Sequence, residues 1–91
     1  MLYAWMGFLK SDAGPITPEL QQLATVFLSQ PLINIHSFGP LCDESGTRAG
    51  MLMIFEHDSY AAAHSFVAES PFLQAGLYEH FRLYEYINEG G

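Results

Sequence analysis

The chain has 91 residues, which is enough for one domain with a limited core. Its formal net charge of −7, with only three Lys and Arg residues, excludes the basic patch that nucleic-acid binding requires and disfavours anionic membranes. Cys42 is the only cysteine, so no intrachain disulfide is available, and the composition fits a reducing cytoplasm. Hydrophobic residues make up 49% of the chain. We expect a second copy, in a homodimer, to cover this excess.

The first half of the chain predicts a strand, a helix and a second strand. Residues 2–9 form an apolar run that is too short to span a bilayer and is typical of a buried strand. Thr17 and Pro18 mark a helix start, because Thr caps a free backbone N–H and Pro fits the first turn. Pro31 ends this helix, and residues 32–38 are predicted as the second strand. Apolar residues recur at helical spacing and are expected to face inward: Leu20, Leu23, Ala24, Phe27 and Leu28.

The second half predicts a turn, two strands and a second helix with a short extension. Its segments are a turn at 43–46, a strand at 49–55, a helix from a cap at Asp58 or Ser59 to Glu69, a further helical turn that begins at Ser70-Pro71 and ends at Gly76, and a strand at 77–87. We predict a single domain over residues 1–91, ordered to about residue 88.

The polarity of the strands predicts their order in the sheet. Residues 49–55 are apolar throughout, as in a strand that is buried on both faces, and the first strand is nearly so. The second and fourth strands carry polar residues such as His36 and Arg82, which favour sheet edges. The sequence therefore predicts a ferredoxin-like βαββαβ domain of the α+β class, with a four-stranded antiparallel sheet ordered 4-1-3-2. Two helices cover only one face, so a second subunit is expected on the other.

An ordered set of short motifs resembles the YCII-like family over about residues 39–86. The motifs are Gly39-Pro40-Leu41, the acidic turn ending in Gly46, the apolar strand from Gly50, Ala62-Ala63, Ser70-Pro71-Phe72 and Ala75-Gly76-Leu77-Tyr78. The resemblance implies a dimeric α+β barrel with a cleft between helices and sheet. It also implies a possible enzyme, because some relatives are lyases or dehydrochlorinases that act on small aromatic-derived substrates.

The resemblance also identifies where the family's acid–base pair would lie. In many relatives, a His on the first helix and an Asp before the Pro of a D-P-[YF] turn are proposed for this role. Here the first helix contains no His, and Ser70 stands in the aspartate's place. Ser caps a helix about as well as Asp, a role worth about 1 kcal/mol, so we expect the turn and its cap to be kept. A hydroxyl cannot replace a carboxylate that orients an imidazole, so the sequence predicts the architecture without this pair.

Two histidines are candidates for a substitute role. His36 is predicted on the same strand face as Phe38 and, with Ser70 nearby, could act as the base; otherwise it is a partly exposed edge residue. His80 alternates with Arg82, Tyr84 and Tyr86 along the fourth strand. This row could bind an anionic ring compound, or it could form an edge or dimer surface.

Further candidate ligand-binding residues lie on the central strands. Tyr3 and Trp5 share a face and could stack on a ligand or form core. Met51 and Met53 could give an adaptable pocket wall, although we favour a role as filler of the dimer interface. Arg48 could meet a substrate carboxylate. No His pair has zinc-site spacing and the glycines form no phosphate loop, so we predict no metal and no cofactor.

The sequence leaves two main functions open. We favour a small-molecule-binding homodimer, with a small aromatic or anionic ligand, that lacks the family's His/Asp pair. The alternative is a lyase, isomerase or dehydrochlorinase-like enzyme with His36 or His80 as base. A stand-alone structural or regulatory dimer is a third possibility. A His side chain pointing into the cleft near Ser70 would favour the enzyme.

Overall fold

The computed structural model describes residues 1–14, 16–30 and 33–91. The elements in chain order are β1 (Leu2–Leu9), α1 (Pro18–Leu28), β2 (Ile35–Cys42), β3 (Arg48–Glu56), α2 (Tyr60–Ala68), α3 (Pro71–Gln74) and β4 (Tyr78–Tyr86). No helix in these ranges combines the length and the hydropathy needed to cross a bilayer.

The four strands form one antiparallel sheet in the order β2-β3-β1-β4, which confirms the predicted ferredoxin-like α+β arrangement. The two most apolar strands, β1 and β3, are central, and the two strands that carry polar residues are the edges. Strand polarity decides this order because an edge strand keeps one side in contact with water.

The register divides the sheet into two faces. Residues directly opposite each other on paired strands share a face. Tyr3 and Trp5 lie opposite Phe55 and Met53, and all four are buried beneath the helices; we call this side the helix-covered face. The other side, which we call the open face, carries a half-buried central group: Ala4, Met6, Phe8, Leu52 and Ile54.

Burial along β3 corrects two expectations about that strand. Met51, Met53 and Phe55 are buried, whereas Leu52 and Ile54 are half-buried, so the strand is fully covered on one face only. The two methionines lie on the helix-covered face. The prediction that they fill a dimer interface is therefore wrong, because the period of two places them under the helices of their own chain.

Side-chain caps fix the starts of the two longer helices. Thr17 Oγ1 accepts a hydrogen bond from Leu20 N–H at 3.1 Å, as predicted. Ser59, and not Asp58, caps α2 by accepting from Ala62 N–H at 3.1 Å. α1 ends at Leu28, and Pro31 lies outside the described residues.

The inward face of α1 is narrower than the apolar pattern indicates. Leu23 was expected to face the core, but it is 58% exposed. α1 packs mainly on the short helix α3 rather than directly on the sheet. A helix that packs on so small a neighbour buries only a thin stripe, with Ala24 at its centre.

Strand β2 differs from its prediction in both bounds and register. It runs from Ile35 to Cys42, whereas 32–38 was predicted, and residue 32 lies outside the described residues. The strand continues past residue 38 because an edge strand tolerates Pro40, whose missing N–H is not needed for pairing. The register shifts between Ile35 and Ser37. Phe38 lies opposite Met53 on the helix-covered face, whereas His36 reaches Glu56, whose Cα lies opposite Leu2 of the open face. The predicted common face of His36 and Phe38 is therefore wrong.

Gly7 makes room for the Trp5 ring. A Cβ at Gly7 would lie 2.7 Å from Trp5 Cη2 and 2.9 Å from Tyr78 Cδ1, closer than side-chain carbons approach. The missing side chain lets the indole lie along β1 beneath the helices, where it meets Tyr78 edge-to-face at a centroid distance of 5.2 Å.

Candidate functional site

An apolar cleft lies between α1 and the sheet. Its cavity volume is about 10 Å³, and we call it the inner cleft. Aliphatic and aromatic side chains dominate its walls. The lining residues are Trp5, Ala24, Phe27, Leu28, Phe38, Met53, Val67, Ser70 and Phe72. Apolar walls with a few polar groups are typical of small-molecule sites, but this volume is about what a single water molecule needs.

Trp5 contributes a buried indole to these walls. The side chain is 3% exposed, and its Nε1–H is buried without an acceptor among the described residues. A buried donor that lacks a partner costs about 1–3 kcal/mol, so such groups are rare in folded proteins. The burial of the Trp5 N–H without an acceptor is therefore unfavourable.

Ser70 is the second polar residue of the inner cleft. It occupies the N-cap position of α3 and is 8% exposed, but its hydroxyl makes no capping hydrogen bond. The predicted side-chain cap is therefore wrong. The turn forms through Pro71 at the first helical position and through the Ser70 carbonyl, which accepts from Gln74 N–H at 3.0 Å. The Ser70 hydroxyl therefore makes no hydrogen bond to its own helix, and Ser70 is one of the residues that line the inner cleft.

A wider pocket, which we call the outer mouth, adjoins the inner cleft and has a volume of about 190 Å³. The two spaces share Ala24, Leu28, Phe38 and Phe72. The mouth adds polar and charged groups at its rim, together with a methionine: Gln21, Thr25, Arg48 and Met51.

The positive charge of Arg48 acts on the neighbouring Tyr78. Burial raises the pKa of Tyr78 to about 12, and the Arg48 charge opposes that rise. In a chain of net charge −7, one of three Lys and Arg residues thus stands at the entrance.

The predicted polar row of β4 lies on the open face. His80, Arg82, Tyr84 and Tyr86 stand opposite Phe8, Met6, Ala4 and Leu2 of β1. The His80 ring stacks on Phe8 at a centroid distance of 4.9 Å. Arg82 Nη1 donates to the carbonyl of Phe81 at 3.0 Å. These side chains lie across the sheet from the inner cleft.

His36 pairs with a carboxylate on the same open side. Its Nε2 lies 2.9 Å from Glu56 Oε1, with the two side chains 41% and 50% exposed. The hydrogen bond from His36 lowers the pKa of Glu56 below its ordinary value. An imidazole oriented by a carboxylate has the arrangement of a general base, but this pair does not line the inner cleft.

The structure therefore divides the predicted site residues into two groups. Trp5 and Ser70 meet in the inner cleft, and Arg48 and Met51 lie in the mouth beside it. Tyr3 is fully buried against Phe55 and Tyr60. His36, His80 and Arg82 lie on the open side, and within residues 1–14, 16–30 and 33–91 no three His, Cys, Asp or Glu residues cluster as metal ligands.

Sequence reasoning missed several walls of the inner cleft as site residues. Phe38 was missed because the β2 bulge could not be foreseen. Met53 was considered beside Met51 as a possible pocket wall, and Phe72 was missed although it directly follows Ser70-Pro71. Met53 lies on a strand and Phe72 in the Ser70-Pro71-Phe72 turn. The signal that could have linked them is that residues of these two elements could face each other.

Comparison with known families decides the relationship. The model for the YCII-related domain matches residues 8–87. The chain belongs to this family. No curated protein matches the chain at a significant level.

Solved structures agree with the fold of this YCII-related protein. The 5-chloro-2-hydroxyhydroquinone dehydrochlorinase from Burkholderia phenoliruptrix AC1100, in complex with 2,5-dihydroxybenzoquinone, superposes with a TM-score of 0.79 at 22% identity, covering 96% of this chain and 94% of that one. Rv0793 from Mycobacterium tuberculosis has a TM-score of 0.50 at 11% identity, with coverage of 99% and 97%. At these identities the likeness establishes shared architecture.

Proposed function

We propose that this YCII-related protein is a small-molecule-binding homodimer that holds a single-ring compound in the outer mouth, against the walls that the mouth shares with the inner cleft. One observation carries the proposal: the mouth has a volume of about 190 Å³, apolar walls with a few polar groups such as Gln21 and Thr25, and no His, Asp or Glu among its described lining residues. Such a site has the means to enclose and orient a ring, but not the acid and base that proton transfer requires.

The two positions at which relatives are proposed to carry an acid–base pair support a binding role. α1 contains no His, and Ser70 precedes Pro71 where the aspartate would stand. The Ser70 hydroxyl lines the cleft, yet a hydroxyl stays neutral and cannot stabilise an imidazolium as a carboxylate does. We therefore propose that this protein has a binding cleft without that acid–base pair.

The proposed homodimer is supported by the apolar character of the open face. Its centre is apolar, with Met6, Phe8, Leu52 and Ile54 half-buried in the isolated chain, and the chain's own helices all lie on the other side. A second copy is the occupant that we propose, because a two-fold axis brings this face against itself and covers both copies at once. Light scattering at micromolar concentration should give twice the mass of the chain. A stable monomer would contradict the dimer.

The binding role is tested with a panel of small ring compounds. Ligands of the outer mouth should raise the melting temperature of the wild-type protein in a concentration-dependent manner. Ala24→Leu fills the space shared by the cleft and the mouth and should remove this shift. Val26→Leu is the matched control, since Val26 is 66% exposed on the outer side of the same helix. Equal shifts in both variants would place binding elsewhere.

A second candidate is a dehydrochlorinase-like enzyme with His36 as base. The observation in its favour is the 2.9 Å His36–Glu56 hydrogen bond, and the similar Burkholderia structure is a dehydrochlorinase. Chloride release from 5-chloro-2-hydroxyhydroquinone separates the two roles. The binding proposal predicts no release above the uncatalysed rate. Release by the wild type that is lost in His36→Gln would establish the enzyme instead.

A further inference from the structure

An open pocket lies at the end of the sheet where β1 ends and β3 begins. It has a volume of about 500 Å³, and its lining includes Lys10 and Arg48, two of the three Lys and Arg residues of the chain. We call it the basic pocket. In a chain of net charge −7, most of the fixed positive charge is therefore concentrated at one place.

Two independent observations locate the charged ends of these side chains. Lys10 Nζ lies 3.9 Å from the point where a Cβ of Gly76 would stand. The Arg48 charge acts on the phenol of Tyr78, where it opposes the rise in the pKa of that group. Leu77, which lies between Gly76 and Tyr78, is part of the pocket wall, and its carbonyl accepts from Lys10 N–H at 2.9 Å. The two charged groups therefore lie near the same three residues of the chain.

Neither cation is neutralised by an ion pair within the described ranges. The one salt bridge that the structure shows there joins His36 and Glu56, at the edge of the open face. Like charges that face one pocket repel each other, so an anion bound between them would relieve that repulsion and add two attractions. The positive charge of the basic pocket is thus available to a ligand.

Asp43 is the one acidic residue among the described residues that line the basic pocket. Its Oδ1 accepts hydrogen bonds from Ser45 N–H at 2.9 Å, from the Ser45 hydroxyl at 2.7 Å and from Thr47 N–H at 3.0 Å. These bonds lower the pKa of Asp43, so the carboxylate stays charged within its own turn. Two cations and one carboxylate leave one net positive charge, which a monoanion balances and a dianion exceeds.

The basic pocket adjoins the outer mouth. Ile16 and Arg48 line both spaces. The shared walls of the mouth and the inner cleft are apolar, whereas Lys10 lines only the basic pocket. A ring in the mouth could therefore extend an acidic group past Arg48 toward Lys10. A carboxylate suits this position, because its two oxygens match the paired donors of a guanidinium.

We infer that the basic pocket binds the carboxylate of a ligand whose ring lies in the outer mouth, with Lys10 and Arg48 as its counter-charges. The ligand class is an aromatic monocarboxylate whose ring and acid occupy neighbouring spaces. This inference rests on the proposed ring-binding role and specifies the acidic group that the ligand carries.

Three matched pairs of compounds test the inference. Benzoate, phenylacetate and 3-phenylpropionate place a carboxylate at increasing distance from the ring, and the amide of each acid has nearly the same shape without the charge. Dissociation constants are measured at neutral pH for the full-length wild type, Lys10→Gln, Arg48→Gln and Arg82→Gln. The quantity compared is the acid preference, which is the dissociation constant of the amide divided by that of its carboxylate.

Arg82→Gln is the matched control for the two pocket variants. It removes the same charge from the chain, but Arg82 lies on the open face, across the sheet from the mouth. All three side chains are exposed, so none of the substitutions alters the core. A change of acid preference in the pocket variants alone thus reports on the pocket and not on net charge.

The wild type should show an acid preference of about tenfold for at least one pair. Lys10→Gln and Arg48→Gln should each lower it about threefold, which is the usual effect of losing one partly exposed ion pair, and Arg82→Gln should leave it unchanged. Added salt should also lower the wild-type preference, because it screens exposed charges. Phenyl phosphate, largely a dianion at neutral pH, should bind no more tightly than the preferred carboxylate.

The outcomes separate this inference from the binding role beneath it. Amides that bind the wild type as tightly as their acids overturn the carboxylate inference and leave ring binding intact. An acid preference that stays unchanged in Lys10→Gln and Arg48→Gln, or that falls equally in Arg82→Gln, overturns the assignment to the basic pocket. Tighter binding of phenyl phosphate overturns the preference for a monoanion. Failure of all these compounds, and of the wider ring panel, to bind overturns both proposals.

Discussion

The two faces of the sheet carry side chains of different chemical character. The helix-covered face carries the inner cleft, whose described lining is apolar except for Trp5 and Ser70. The open face carries the groups that can take charge, among them the His36–Glu56 pair and the row from His80 to Tyr86. Both sets come from the same strands. The alternation of side chains, with a period of two, separates them by the thickness of the sheet.

This separation shows why residue types alone mislead about the site. A His two positions from a cleft residue looks like part of the cleft, yet one bulge in β2 directs His36 to Glu56 and leaves Phe38 in the cleft wall. The histidines and their charged neighbours therefore surround the proposed dimer surface. Mainly unreactive side chains surround the proposed ligand.

The largest expected effect on stability compares the two faces of the sheet at neighbouring positions of β3. Phe55 is fully buried on the helix-covered face, and Phe55→Ala should lower the free energy of unfolding by about 3–5 kcal/mol. Ile54 lies on the open face, so Ile54→Ala should cost less in the monomer. Its cost should grow with protein concentration if a second copy covers that face. Chemical denaturation at two protein concentrations checks both, and equal, concentration-independent losses would contradict the division.

A charge on the open face should act on assembly. Leu52→Asp places a carboxylate at the centre of the proposed interface, where it would lose its hydration without a partner, and should raise the dimer dissociation constant about a hundredfold. Sedimentation measures the change. Leu23→Asp is the control, because Leu23 is exposed on α1 and should leave the mass unchanged. Equal behaviour of the two variants would exclude this face as the interface.

The smallest effect concerns the ion pair at the edge of the open face. The pKa of Glu56 is lowered by the His36 hydrogen bond, so the carboxylate stabilises the fold above its ordinary pKa of 4.5 and this contribution is lost as the pH falls. Glu56→Gln should therefore reduce the melting temperature slightly at neutral pH, and the difference should shrink below pH 4.5. Glu79→Gln, at an exposed position of β4, is the control. A difference that persists at low pH would assign the effect to packing.

The sequence predicted the frame of this protein better than its site. Local signals identified β1, the Thr17 cap and the order of the strands, because apolar runs, capping residues and edge polarity each act over a few residues. The β2 register and the unused Ser70 cap depend on how distant elements pack, so no local pattern contained them. Trp5 and Ser70 were both named as candidates, but their meeting in one cleft required the fold.

The account depends most on which face receives the ligand. Backbone and side-chain signals of a ¹⁵N-labelled protein, followed during titration with a ring compound such as acetophenone, locate binding in one experiment. The account predicts that the shifts concentrate at Ala24, Thr25, Phe38 and Arg48 and leave Arg82 and Tyr84 unmoved. Shifts that concentrate on β4 and around His36, with Ala24 and Arg48 unchanged, would contradict it.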